Sequence, residues 1–421
     1  MFSFSKETNS KKIFFWNMAG GITDAATSVI LLIATTRIVG EEIAGIIAIS
    51  IATAQLLNAL GNYGMRGFQV TDLIPKYSFS VYHGSRLITC GAMLLAGMIS
   101  VMLSGYSGNK MIVLAVIILV KLIDAYADVF EGLMQQVGRL DIAGKAQFMR
   151  TLFYSAAFVL TLLLVKNIIA ACMAMLLTDV LLLILCDILP ARNVERFNAD
   201  LSFNQQKSLL SECFPVFAAF FMMLYLGNAP RYAIDAMLPS ESQAIFGIVY
   251  TPAQIINLVS AFAFKPLLKS LAEYWGKDRK KYIKTALVLI LNIIIITVLI
   301  EVGAYYLGIP ILSFIYGVDL EGMRPLLMLM LLGGGVNAIA YMLYYALTAS
   351  RKQIPVFISF VISSIFIFFA STALVRASGL LGAAWSYVIT LTLLSALLLG
   401  ILFWIIVRNK KEGNSADCTL E

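Results

Sequence analysis

The feature that most limits the folding of this chain is a succession of apolar runs, each about 20 residues long and nearly free of charge. Wound into a helix at about 1.5 Å per residue, a run of that length matches the hydrocarbon core of a bilayer. The runs fall at 13–35, 43–62, 86–105, 111–131, 146–165, 168–188, 212–233, 243–263, 284–306, 324–348, 354–375 and 380–407. Only α-helices and closed barrels satisfy every backbone polar group inside a membrane, and barrel strands would alternate over about ten residues. Composition agrees: 60% of the residues are hydrophobic and 13% charged, where soluble domains average roughly 45–50% and about 25%. The expectation is an all-α integral membrane protein with about twelve transmembrane helices.

Lys and Arg give the orientation. With the N-terminus inside, most of the 31 basic residues fall on the inner connections and at the two ends, as the positive-inside rule requires. The protein is therefore expected in the cytoplasmic (inner) membrane, multi-pass, with both termini cytoplasmic. The net charge of +7 belongs to the inner surface of that membrane and not to nucleic acid. No cleavable signal peptide is evident, so the first segment is expected to act as an uncleaved signal. The longest polar connection divides the chain into a first six-helix bundle at 1–189, a cytoplasmic linker at 190–211, a second six-helix bundle at 212–407 and a cytoplasmic tail at 408–421. Many transporters are paired bundles of this kind.

Local breakers suggest bends. Pro215 and Pro230 flank the seventh segment, Pro230 is expected to break its helix, and Pro252 lies within the eighth. Each removes a helix hydrogen bond. Gly333-Gly334-Gly335 suggests a bend in the tenth segment. The stretch from Phe264 to Lys284 mixes apolar and basic residues and reads as a topology signal or an amphipathic helix on the inner leaflet. The single histidine, His83, and the five cysteines show no paired spacing, so neither a metal site nor a disulfide framework is expected.

Ionisable groups inside apolar segments are costly and mark paths or pairs. Asp24 falls near mid-depth of the first segment, with no basic partner one turn away. It can bind a proton or Na⁺, or pair with a cation of another helix. Lys121, Asp124 and Asp128 lie at i, i+3 and i+7 and share a face, so that Lys121 and Asp124 can neutralise each other. Asp179 is a further buried carboxylate, and Arg150 is close enough to its segment end to snorkel to the inner surface. Arg231 and Asp235 are spaced for an i,i+4 pair at the end of the seventh segment. Arg66 is either an inside-positive anchor or a receptor for an anionic group, since guanidinium matches phosphate geometry.

Several classes are disfavoured. No P-loop and no selectivity-filter signature occurs. No long outer loop is present to build an extracytoplasmic active site, which counts against a membrane glycosyltransferase or polysaccharide polymerase.

Four stretches resemble the polysaccharide (O-antigen and capsular oligosaccharide) flippases, relatives of the multidrug and toxin extrusion proteins and the lipid II flippases. They are KKIFFWNMAGGITDAATSVILLIATTRIVGEEIAGIIAIS, LLNALGNYGMRGFQVTD, GRLDIAGKAQFMR and NAPRYAIDAMLPSESQAIFGIVYTPAQIINLVSAF. The pair Gly64-Met65-Arg66-Gly67-Phe68-Gln69 and Pro230-Arg231-Tyr232-Ala233-Ile234-Asp235 carries most of the specificity. The resemblance implies a V-shaped pair of six-helix bundles around a central, typically cationic cavity. It also implies a non-enzymatic flippase that exports an undecaprenyl-diphosphate-linked oligosaccharide repeat unit by alternating access. Implied partners are the lipid-linked oligosaccharide, membrane lipids and the polymerase and glycosyltransferases of the same pathway. No cofactor is implied beyond proton or Na⁺ coupling. One departure stands out. Lipid II flippases carry several arginines on the first two helices, whereas this chain has Asp24 at mid-depth and Arg37 and Arg66 only near segment ends. That argues against lipid II as cargo. The alternative within transporters is a cation-coupled drug or metabolite exporter.

Overall fold

The computed structural model describes residues 10–71, 76–195, 198–264, 274–275, 278–349 and 353–417. All regular structure among them is helical. The helices are α1 Ser10–Val39, α2 Glu41–Asn62, α3 Met65–Thr71, α4 Phe79–Leu103, α5 Gly108–Gln136, α6 Leu140–Val165, α7 Ile168–Leu182 and, after a π turn at Leu183–Ile188, α8 Leu189–Arg192. They continue with α9 Phe203–Met237, α10 Ser240–Phe264, α11 Arg279–Tyr316, α12 Arg324–Ala349 and α13 Gln353–Asp417.

Every apolar segment read from the sequence lies on one of these helices. Nine stretches among the described residues are long and apolar enough to cross a membrane. Helix α5 is not one of them, because Lys121, Asp124, Asp128 and Glu131 are strung along it. One stretch, Ile354–Ile405, is 52 residues long. At about 1.5 Å per residue it is twice the length a bilayer needs. It breaks at Ser378 and Gly379, where φ/ψ leave the helical region, so two segments share it as expected. Large apolar side chains face outward along the helices, among them Leu103, Leu164 and Phe314, each at least 80% exposed. Such a surface calls for a lipid solvent.

The chain divides into two compact units. The first holds Met1–Leu224, Pro239–Ile245 and Tyr316–Val318; the second holds Tyr225–Leu238, Phe246–Ile315 and Asp319–Glu421. The boundary therefore falls inside α9 and not in the 190–211 connection. The reason is local. The connection is fastened to α4: Asp200 N–H donates to the Ser80 carbonyl at 2.9 Å, and Gln206 Nε2 donates to the Val81 carbonyl at 3.1 Å. A Cβ on Gly84 would overlap the Asp200 carbonyl, so glycine permits this approach. The start of α9 follows, with Glu212 accepting from Lys76 at 2.6 Å and from Tyr77 at 3.0 Å.

Within the first unit, α1 packs along α6, α2 along α5, and α7 against both α5 and α6. Small residues allow the α1–α6 approach. Gly20, Thr23 and Thr27 on α1 meet Gly144, Thr151 and Ser155 on α6, with Thr151 donating to Thr23 at 2.8 Å. Close approach through small and hydroxyl side chains is the usual means of helix association in lipid, where apolar burial gives little drive.

Within the second unit, α12 packs against α13. The three glycines of α12 do not bend it; the helix is continuous through them. A Cβ on Gly333 would strike the Tyr387 ring, one on Gly334 would crowd Ala253, and one on Gly335 would overlap Thr297. The run is there for close approach on three sides. Likewise Pro230 does not end its helix, since α9 runs on to Met237. Residues 265–273 and 276–277 of the basic stretch lie outside the described residues.

Candidate functional site

The first unit encloses a ladder of charge built on α5. Lys121, Asp124, Asp128 and Glu131 recur at three- and four-residue steps, which keeps them on one side of the helix. Cations from three other helices meet them. Arg66 of α3 bridges Asp128 at 3.0 Å and Glu131 at 2.8 Å. Arg86 of α4, fully buried, donates to Asp128 at 2.6 Å and to the Gly61 carbonyl at 2.7 Å. Arg150 of α6 donates to Asp124 at 2.7 Å.

The other rung holds the remaining acids. Lys121 bonds Asp124 at 2.7 Å, its i+3 neighbour, and lies 3.6 Å from Asp24 of α1. Arg150 also reaches Asp179 at 3.6 Å and Asp187 at 3.5 Å. These two aspartates are eight residues apart, about 80° around a regular α-helix and so on one broad side of it, and the π turn between them absorbs about one extra residue and brings them closer to one line.

Several expectations change here. Arg150 does not snorkel: it is 2% exposed, held inward by three carboxylates. Arg66 is drawn to acids of its own unit: its Nη1 reaches Asp128 and Glu131, and its Nε donates to the Gln135 side chain. Asp24 lies 3.6 Å from a cation of another helix, Lys121 of α5, one of the alternatives read from the sequence, and its side chain stays 44% exposed. Lys121 and Asp124 form the anticipated pair. Asp128 shares their helix but turns to Arg66 and Arg86. Sequence reading passed over Arg86, Glu131 and Asp187, each near a segment end. The continued spacing of Asp128 to Glu131 was a usable signal for one of them; the partners of Arg86 and Asp187 are too distant in sequence to leave one.

The second unit is built differently. Arg231 is buried and its guanidinium lies 5.0 Å from the centre of the Tyr250 ring. Tyr250 meets Tyr387 edge-on, with their hydroxyls 3.5 Å apart. Cation–π contact of this kind contributes about 0.5–2 kcal/mol. Among the described residues, the buried polar side chains of this unit are otherwise Asn228 and serine or threonine hydroxyls, with no carboxylate. Asp235 lies one turn beyond Arg231 on α9, half-buried.

Several solved structures share this arrangement of helices. An inward-facing multidrug resistance MATE family transporter of the MOP superfamily superposes with a TM-score of 0.73 at 14% identity, covering 92% of this chain and 96% of that one. The lipid II flippase MurJ, in an inward closed conformation, gives 0.73 at 13% identity over 92% and 87%. The MATE multidrug transporter DinF-BH gives 0.66 at 17% identity over 96% and 98%. This chain has the fold of the MOP-superfamily transporters. No family model and no curated protein matches its sequence. The likeness is one of fold, and the charged ladder lies inside the first unit of that fold.

Proposed function

We propose that the chain is a flippase that moves an undecaprenyl-diphosphate-linked oligosaccharide repeat unit across the cytoplasmic membrane for surface polysaccharide synthesis. It works by alternating access and makes or breaks no covalent bond. Both termini lie in the cytoplasm. The supporting observation is the setting of Arg231, in the second of the two flippase-like motifs. It is buried on an aromatic ring, in a unit whose described buried side chains include no acid. A cation over tyrosines suits a diphosphate and a sugar, which need a charge-assisted donor and a ring face. It is a poor setting for a cationic drug. Stripped of water unaided, the diphosphate would cost several kcal/mol or more per charge, and a fixed guanidinium offsets part of that. Coupling to a proton or Na⁺ would run through the carboxylates of the first unit, with Asp24 as the exposed end.

The test is genetic and chemical. Deleting the gene should accumulate lipid-linked repeat units on the inner leaflet, and the wild-type gene but not Arg231→Ala should clear them. If no such intermediate builds up, the cargo is wrong. A second reading, a cation-coupled exporter of drugs or metabolites, is favoured by the MATE likenesses. Resistance to toxic cations on expression would support that reading instead.

A further inference from the structure

We propose that Asp179 is a proton-binding residue of this protein, kept neutral by its burial and by the surplus of acid over cation around the Arg150 guanidinium that it shares with Asp124 and Asp187.

The case begins with a charge count. The enclosed rung contains two cations, Lys121 and Arg150, and three carboxylates, Asp124, Asp179 and Asp187. The neighbouring rung of Arg66, Arg86, Asp128 and Glu131 is balanced. One enclosed negative charge is therefore left over. An uncompensated charge in such surroundings is strongly unfavourable, so the rung needs one proton or one monovalent cation.

Geometry says where it goes. Lys121 and Arg150 both bond Asp124 at 2.7 Å, and Asp187 accepts from Arg150 at 3.5 Å. Asp179 is 0% exposed, and neither of its oxygens has a hydrogen-bond partner among the described residues. Its one ionic neighbour is the Arg150 Nε at 3.6 Å, itself without a hydrogen bond there. An ionised carboxylate would draw that guanidinium in. Asp124 at 2.7 Å and Asp187, through a long bond at 3.5 Å, take donors of Arg150, which leaves Asp179 as the carboxyl of the three with no hydrogen bond and so the one to carry the proton. The buried Tyr154 hydroxyl, one turn beyond Arg150, also has no hydrogen-bond partner among the described residues. Two cations already in the rung disfavour a metal ion.

The groups that face Asp179 are Arg150 and Tyr154 of α6 and Lys121 and Asp124 of α5, with Asp24 of α1 beyond Lys121. Asp187, across the π turn, faces Arg150, Glu131, Asp179 and Asp124. Losing the proton from Asp179 would give Arg150 a third ionised claimant and loosen its hold on Asp124. Loss or gain of one proton thereby moves the cation that joins α5, α6 and α7. The link to transport rests on the proposed function; proton binding itself does not.

Infrared difference spectroscopy of the full-length protein in lipid nanodiscs, read at neutral pH in H₂O and D₂O, tests this. Wild type should show the carbonyl stretch of a buried protonated carboxylic acid. Asp179→Asn should abolish it. Asp187→Asn should abolish it too, since the rung is then balanced and Asp179 ionises. Asp24→Asn should leave it intact. Survival of the band in both Asp179→Asn and Asp187→Asn overturns the proposal, as does its removal by Na⁺ at fixed pH. If one variant does not fold, the other carries the readout. A band that behaves as stated in a protein that flips no glycolipid would refute the cargo and leave the proton site standing.

Discussion

The two units solve the same problem by opposite means. Both bury polar groups in a surface that is otherwise lipid-facing. The first does it with ions: Arg66, Arg86, Lys121 and Arg150 are set against Asp24, Asp124, Asp128, Glu131, Asp179 and Asp187. The second does it with hydroxyls, aromatic rings and one arginine. Ion pairs fix several helices to one another, but each partner's removal strands a charge. Hydroxyls that return their hydrogen bond to their own helix, as those of Thr297 and Thr390 do, strand no charge when they are removed. The first unit thus reads as a charge-locked frame, and the second as a packing frame around the buried Arg231.

Breaking the lock should have the largest effect. Arg150→Ala leaves three carboxylates facing one another and should destabilise the protein by about 3–5 kcal/mol, read as a large drop in the melting point or failure to purify as a monodisperse species. Arg231→Ala, the matching deletion in the second unit, should cost only about 0.5–2 kcal/mol while abolishing glycolipid clearance. Equal destabilisation by the two would erase the distinction between the units.

Next comes Asp128→Asn, which withdraws the carboxylate that Arg66 and Arg86 share. Removing a charged hydrogen-bond acceptor from buried donors should cost about 1.5–3 kcal/mol. In the second unit the comparable lesion is steric. Gly335→Ala places a methyl group on Thr297 and should cost about 1–3 kcal/mol by overpacking, whereas Gly303→Ala, which meets nothing, should be silent in the same melting assay.

How much of this was legible beforehand follows the same division. The helices were, because about twenty apolar residues in a row have few other uses. The Lys121–Asp124 pair was, because both members sit one turn apart on one helix. The placement of Arg150 was not: its acids come from helices α5 and α7 and the π turn, which are distant from it in sequence. The Gly333-Gly334-Gly335 run was visible but ambiguous, since the same letters serve a bend or a close approach. Only neighbouring side chains decide between these. Pro230 misled for a related reason: its missing N–H is tolerated where α9 continues, so the boundary drawn there was too early.

The smallest effect is expected at the surface. Lys76 is exposed, and the bond it gives Glu212 makes it hold its proton more tightly than an ordinary lysine. The pair is therefore intact at neutral pH; it is lost as pH rises through the raised lysine range and as pH falls far enough to protonate Glu212. Solvent screening makes it weak. Lys76→Ala should leave melting unchanged at physiological salt, and a clear drop would mean that the fastening of α9 to the first unit depends on it.

The central claim, that this chain moves a lipid-linked oligosaccharide, is tested most directly in proteoliposomes containing the purified protein and a fluorescent polyprenyl-diphosphate oligosaccharide. A membrane-impermeant quencher then reports which leaflet holds the label. Wild type should expose the inner-leaflet fraction to the quencher within the assay, and Arg231→Ala protein of normal melting point should not. Quenching that stops at the outer leaflet with wild-type protein, under both proton and Na⁺ gradients, would contradict the account.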